Sequence, residues 1–315
     1  MEKLPVRAPR DFSIHPHRLS ESTQNTLILC ERRFELDRLV ESMETANKSR
    51  SISPENVRGL SYGTGVQAYM LTGDMDYAVY EAWLAYYPRL EDAPKTFQSR
   101  VINNLIQSKG HLDSLRKDYE VAVFNEEPAI ELSFRLNLDE RWYFVGYIDL
   151  VLRHKVSGSY GVLEVKTTWN WRQDLQPMWK YSGQALGYSI ILDQIAGAEQ
   201  AQFDTPYLVC QELKDNFIPA IHIFPFKKTL QDRFKWFLTL GEDLKRLNTM
   251  MELRHFPQRS GGCLAFGKVC PHYDFCGMSG DRHREAGEDK NVYQFTYNLD
   301  EVIADHVRRI TTAKA

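Results

Sequence analysis

Nowhere in these 315 residues does an apolar run approach the length that would cross a bilayer, and the opening Met-Glu-Lys-Leu-Pro-Val-Arg lacks the apolar stretch of a signal peptide. A soluble, intracellular, cytoplasmic protein with no membrane partner is expected. Excess charge of either sign is also missing. The formal net charge is −3, so the composition does not advertise nucleic-acid binding, and any such site must be a local basic groove. Cysteine is scarce: five residues, an odd number in an intracellular setting, which argues against a disulfide framework. There is no Gly-x-x-x-x-Gly-Lys-Ser phosphate-binding loop, so no helicase motor resides in the chain. What is present suffices for one large domain or two small ones with a real core.

The most informative stretch runs from Gly146 to Trp169 and reads as two strands and a tight turn. In 142–153, Trp142, Phe144, Ile148, Leu150 and Leu152 alternate with a face that carries Asp149 among Tyr147, Val151 and Arg153. Both faces are largely apolar, which predicts an inner strand. In 160–168, Leu163 and Val165 form one face and Val162, Glu164, Lys166 and Thr168 the other. With Ser157-Gly158 as a two-residue turn, positions summing to 315 pair, and Asp149 falls opposite Lys166 with Glu164 diagonal to it. Two carboxylates and an ammonium on one buried patch are costly without compensation. A hard divalent cation, Mg2+ or Mn2+, would supply it, leaving Lys166 to neutralise charge on a phosphate; a structural Asp/Glu/Lys cluster on an exposed strand face is the alternative.

Gly146-Tyr-Ile-Asp149 followed by Leu163-Glu164-Val165-Lys166-Thr167-Thr168 resembles the core of the PD-(D/E)XK nucleases, in their RecB-like branch. That resemblance implies an acid one strand upstream, matched by Glu131 in a strand that alternates from Ala129 to Leu138, and a Gln-x-x-x-Tyr helix downstream. Gln176 to Leu192 reads as such a helix, with Lys180, Gln184 and Tyr188 on one face. Gly63-Thr-Gly65-Val66-Gln67 is similar to the family's Gly-x-x-His segment, with Gln67 where the family has a metal-binding His; an amide oxygen still suits Mg2+, whereas imidazole suits Mn2+ better.

Ser20-Glu-Ser22 opens a helix with Leu27, Cys30 and Phe34 on one side. A long amphipathic helix over 230–253 leads to Cys263, Cys270 and Cys276, three cysteines in fourteen residues. Cys30 is the natural fourth, and four thiolates fit either tetrahedral Zn2+ or a 4Fe-4S cluster. The spacing is not the Cys-x-x-Cys of a zinc knuckle. It is similar to the C-terminal clasp of the iron–sulfur RecB-like nucleases, a group that includes the AddB subunit and the CRISPR adaptation nucleases, and this implies a 4Fe-4S cluster; zinc, through His272, is the alternative. Cys210, inside an apolar strand, has no special role. Polar residues 48–56 read as a linker before a helix over 57–72. Two further helices follow, the first carrying an aromatic stripe at Tyr80, Trp83 and Tyr87.

The fold expected is therefore α/β: a restriction-endonuclease-like mixed sheet flanked by helices. Residues 1–19 form an arm and 281–315 a tail. Between them, 20–280 form a single nuclease domain, with a helical part at 20–120, the core at 128–225, and the long helix with the cysteine clasp at 227–280. The resemblance implies a Mg2+- or Mn2+-dependent deoxyribonuclease, an exonuclease acting on DNA ends or single strands and leaving 5′-phosphates, of the kind phages use in replication and recombination. Its location would be the host cytoplasm if the protein is viral. Asp149, Glu164 and the Val165 carbonyl would hold metal, with Glu131 and Gln67. Lys166 would act on the phosphate or water, and Gln184 and Tyr188 would orient Lys166 or the DNA. A helicase, a single-strand-binding protein or an annealing protein is a possible partner. The rival readings are a structure-selective or CRISPR-adaptation-like endonuclease, a catalytically degenerate DNA-binding module, and a purely structural iron–sulfur or zinc protein.

Overall fold

Ser20 does open the first helix. Its Oγ accepts from the Thr23 amide at 3.4 Å while Thr23 Oγ1 accepts from the Ser20 amide at 2.7 Å, a reciprocal cap worth roughly 1 kcal/mol. In the computed structural model, residues 17–39, 54–87, 95–168, 176–196, 200, 202–212, 218–253, 255–264, 269–273 and 276 are described. The expected tail, most of the arm, and residues 48–53 of the expected linker lie outside them. The chain divides into two compact units. One comprises Met1–Asn47, Asn137–Tyr143 and Thr239–Ala315; the other comprises Lys48–Leu136 and Phe144–Leu238.

The first unit begins with β1 (His17–Leu19), α1 (Glu21–Leu29) and α2 (Glu31–Phe34). A continuous helix through Cys30 was expected, but the backbone breaks there. Cys30 is extended, with φ −166° and ψ 115°, and it ends α1 and begins α2. Leu27, Cys30 and Phe34 are nonetheless all buried, as their spacing predicts. The Glu31 carboxylate is fully buried and is held by Arg246 and by Arg259, the latter at 3.1 Å.

In the second unit, α3 (Pro54–Thr72) starts inside the expected linker. Pro54 is its first residue, where a missing N–H costs nothing and the fixed φ favours the helix. Asp74 caps α4 (Met75–Tyr86), accepting from the Asp76 and Tyr77 amides at 2.9 and 3.2 Å. α5 (Lys95–Asp118) follows. Gly65 lets the three helices close up, since a Cβ there would lie 2.5 Å from Leu105 and 3.0 Å from Ala82.

The strands are β2 (Tyr119–Val121), β3 (Val123–Phe124), β4 (Glu127–Pro128), β5 (Ile130–Asn137), β6 (Trp142–His154) and β7 (Tyr160–Thr168). After α6 (Gln176–Lys180) and α7 (Gly183–Ala196) come β8 (Gln202–Glu212), β9 (Pro219–Thr229) and α8 (Leu230–Leu253). β6 is an inner strand, as predicted: it pairs with β2, β5 and β7. β7 runs parallel to β8, and β9 returns antiparallel. One sheet face, through Leu150, Leu163 and Leu208, packs on Tyr62, Val66 and Leu105 of α3 and α5. The other, through Val151 and Val162, packs on Tyr188 and Leu192 of α7, and Ile148 joins this cluster although its spacing from Leu150 had placed both on one face. Each such side chain contributes about 1.5–3 kcal/mol by burial. The result is a mixed sheet flanked by helices, as expected of a restriction-endonuclease-like core. The helix expected over 176–192 is two pieces, because Ser182 interrupts it: its Oγ accepts from the Gln184 amide at 3.3 Å and caps α7. Lys180 is thus not on the helix that carries Gln184 and Tyr188. No helix among the described residues is long and apolar enough to cross a membrane.

Candidate active site

The turn between β6 and β7 differs from the two-residue form expected at Ser157-Gly158. Lys155 to Gly158 make a four-residue turn, closed by the Gly158 amide donating to His154 O and the His154 amide donating to Ser159 O, each at 2.8 Å. Gly158 takes φ +71°, a conformation that favours glycine. The strands consequently pair Arg153 with Tyr160 and Leu150 with Leu163, two residues away from the expected register. A slip of two keeps every side chain on its face, whereas a slip of one would have buried the wrong set. Continued by one position, that register would set Asp149 beside Glu164 and not opposite Lys166. Beyond the paired stretch, the Val165 amide donates to Asp149 Oδ2 at 2.9 Å.

Glu164 is 2% exposed. Its Oε1 accepts from Lys166 Nζ at 2.5 Å and from Gln184 Nε2 at 2.8 Å. Its Oε2 is buried with no hydrogen-bond partner among the described residues. A buried anionic oxygen without a donor is expensive, and it marks where a cation fits. Asp149 reports the same deficit. Burial first, and then the Glu164 charge, raise its carboxyl from 3.8 to about 7, against the opposing pull of the Val165 amide and Lys166. Lys166 Nζ also reaches Gln184 Oε1 at 3.5 Å.

α7 supplies the ceiling. Gln184 donates to the Tyr188 hydroxyl, which in turn donates to Tyr147 O at 2.7 Å; burial pushes the Tyr188 phenol well up, so it stays a protonated donor. This close approach needs Gly146, where a Cβ would meet the Phe134 ring at 2.7 Å and the Tyr188 ring at 2.9 Å. Gly146→Ala is therefore expected to lower stability by about 1–3 kcal/mol, measured by urea unfolding. A neutral result would mean that α7 does not bear on β6 as described.

From the other side, Gln67 of α3 donates through Nε2 to Glu131 Oε1 at 2.7 Å and to the Asp149 carbonyl at 3.3 Å. Both partners are acceptors, so the amide nitrogen, not the oxygen, faces the acids. Glu131 sits at φ +50°, a strained backbone for a non-glycine residue inside a strand. These residues and the first half of α3 line an open cleft of about 550 Å³, with Asp149, Glu164, Lys166, Thr167 and Thr168 along its strand side. All the residues expected at the metal and catalytic centre, Gln67, Glu131, Asp149, Glu164, Val165, Lys166, Gln184 and Tyr188, thus come together across β5, β6, β7, α3 and α7.

Arg58, which lines the same cleft, was missed in the sequence. It is 2% exposed and lies 3.1 Å from Glu212, a buried carboxylate shared with Arg100 at 2.6 Å. Its signal was positional: Arg58 falls between Val57 and Ser61-Tyr62, in the buried phase of α3, where a lone charge must have a partner.

In the first unit, the Arg259 amide lies 3.4 Å from Cys30 Sγ, and the Cys270 amide donates to Cys263 O at 2.8 Å. Gly262 is the point of closest approach, since a Cβ there would sit 2.5 Å from that of Cys30. The Cys276 thiol is pushed up by burial first and then by Cys30, with Arg32 opposing and Cys270 and Cys263 adding. His272 Nε2 is 2.7 Å from Asp37 Oδ1. Cys210 packs in the apolar core of the second unit. Among the described residues, no three His, Cys, Asp or Glu side chains are gathered closely enough to hold a single metal ion.

No curated protein matches this chain. The solved "Crystal structure of SSO0001" aligns over 72% of this chain and 86% of its own at 15% identity, with a TM-score of 0.26, a likeness too slight to carry any argument. The family model for the PD-(D/E)XK nuclease superfamily matches residues 18–277, a span that takes in β5, β6, β7 and α7 with every acid, amide and amine of the cleft. With its two strand carboxylates, its Glu-x-Lys and most of its length accounted for, this chain belongs to the PD-(D/E)XK nuclease superfamily.

Proposed function

We propose that this nuclease is a Mg2+- or Mn2+-dependent deoxyribonuclease, an exonuclease that works at DNA ends or on single strands and leaves 5′-phosphate and 3′-hydroxyl products. The observation that carries the metal reading is the partnerless Glu164 Oε2, buried beside an Asp149 that burial keeps half-protonated near neutrality. Asp149, Glu164 and the Val165 carbonyl would hold the ion, with waters and phosphate oxygens completing its shell and Glu131 adding its charge nearby, and the ion would polarise the phosphate and acidify water. Lys166 stands a third exposed, steered by Glu164 and Gln184, so its ammonium can meet a phosphate oxygen or orient the attacking water. Gln184 and Tyr188 hold the acid and the amine in place. Gln67, with its amide nitrogen on Glu131, orients that acid and does not itself act as a ligand. The decisive experiment is digestion of end-labelled linear and closed circular single-stranded DNA with and without Mn2+. Metal-dependent loss of the linear form alone supports an exonuclease, cutting of the circle makes it an endonuclease, and binding without cleavage makes the site a degenerate DNA-binding module.

The raised Asp149 gives this reading a pH signature. Without metal, the folded protein holds a proton at Asp149 between 3.8 and about 7 that the unfolded chain has released. That contribution to stability is fully present below 3.8 and is lost as pH rises through 7. Metal must displace the same proton, so Mn2+ affinity is expected to rise by up to about tenfold per pH unit below 7 and then level off. Calorimetric titration at three pH values checks it; a flat affinity would remove Asp149 from the ligand set.

For the cysteine segment we favour a 4Fe-4S cluster on Cys30, Cys263, Cys270 and Cys276 over zinc. Their spacing is not the Cys-x-x-Cys of a zinc knuckle, and the Arg259 amide brings the start of the cysteine segment within 3.4 Å of Cys30 Sγ.

A further inference from the structure

α3 carries three interior glycines, each of which weakens a helix relative to alanine. Two are accounted for by packing. Gly65 is wedged against Leu105 and Ala82, and Gly59 lies where a Cβ would come 3.3 Å from Thr167 Oγ1 on β7. Gly63 is different: a Cβ there would meet none of the described residues within 4 Å. It follows Gly59 by one turn and Gln67 follows it by another, so the three residues lie along one helix face, and all three line the cleft. Across that cleft stands Glu164, 98% buried, with its Oε2 lacking a partner. None of the described residues requires Gly63 to be bare. Something that enters the cleft would.

We propose that the smooth face of α3 at Gly59 and Gly63 is the wall along which a DNA backbone slides to reach Glu164 and Lys166, and that Gly63 sets how closely the strand approaches. This rests on the nuclease reading and adds to it a substrate-positioning surface. A sugar-phosphate chain is bulky and continuous. It must lie against α3 on one side and Asp149 and residues 164–168 of the strands on the other, and a side chain at Gly63 would project into that space. The helix backbone itself, with no side chain between, then forms the contact.

A pair of opposed effects tests it. Gly63→Ala is expected to raise the melting temperature by a few degrees, since the helix gains and nothing clashes, yet to raise the KM for single-stranded DNA several-fold. Gly63→Leu is expected to fold as well and to lose binding of a fluorescent single-stranded oligonucleotide, read by anisotropy in chelator, by tenfold or more, with cleavage in Mn2+ falling in step. Gly241→Leu in α8, also at a helix glycine with open space, is the control and should leave both unchanged. Gly63→Leu protein that binds and cuts like the parent overturns the proposal while leaving the nuclease intact. Parent protein that cuts no DNA but binds it, with Gly63→Leu losing that binding, keeps the wall and removes the chemistry. A parent that does neither overturns both.

Discussion

Lys166→Ala protein is expected to cut linear single-stranded DNA roughly 10²–10³-fold more slowly in Mn2+, the usual loss when a preorganised charge is removed from a developing phosphorane. Binding to the same DNA in chelator should change little. The fold should tolerate the change, because Lys166 is a third exposed and Glu164 Oε1 keeps its hydrogen bond from Gln184 at 2.8 Å. A second effect runs alongside. Lys166 is one of two influences that hold the Asp149 carboxyl down, so without it the proton on Asp149 is harder to displace. Part of the lost rate should therefore return as pH is raised, which would not happen had Lys166 acted on the phosphate alone. Equal losses of binding and cleavage would recast Lys166 as a DNA anchor, and an unchanged rate would remove it from the chemistry.

Cys30→Ala should have the largest effect on stability. On the proposed cluster reading, protein purified without oxygen is expected to lack the iron and broad visible absorbance of the parent, and to melt about 4–20 °C lower. The magnitude follows from a crosslink closing a very long loop, about 2–5 kcal/mol, at about 2–4 °C per kcal/mol for a protein of this size. Cys30 and Cys263 are more than 230 residues apart in sequence. Because Cys30 is itself buried between Leu27 and Phe34, its removal also costs packing. Cys270→Ala separates the two causes: Cys270 is only partly buried, yet it should produce the same loss of iron and nearly the same shift. Zinc in place of iron in the colourless parent would select the other metal. Four thiols that titrate freely in the native protein would exclude both.

The parts of the fold that could be read in the sequence were those set by periodicity. β5 alternates as its residues do, and β6 is buried on both faces as its apolar residues require. Turn geometry was the weak point. Ser157-Gly158 carries the signature of a two-residue loop, but the left-handed Gly158 closes a four-residue turn instead, and nothing in the composition of Lys155 to Gly158 separates the two. The acids survived that error because the slip was even. The break at Cys30 had no glycine or proline to announce it, and its buried, extended backbone is a tertiary outcome. Ser182 was a visible cap signal that the run of helix formers around it outweighed. Gln67 lines the cleft, but the direction of its amide depends on Glu131, which occupies a backbone conformation that no sequence pattern predicts.

β7 is laddered to β8 from Glu164 to Thr168, the same residues that line the strand side of the cleft. Backbone amides inside such a sheet exchange with deuterium only when the sheet itself comes apart. The proposed chemistry thus sits on a laddered stretch of the sheet and not on a loop. Partial denaturation should leave a mixture of fully competent and wholly inactive molecules, not a uniformly weakened enzyme, and the protein will keep its cutting rate per folded molecule up to the edge of its melting transition.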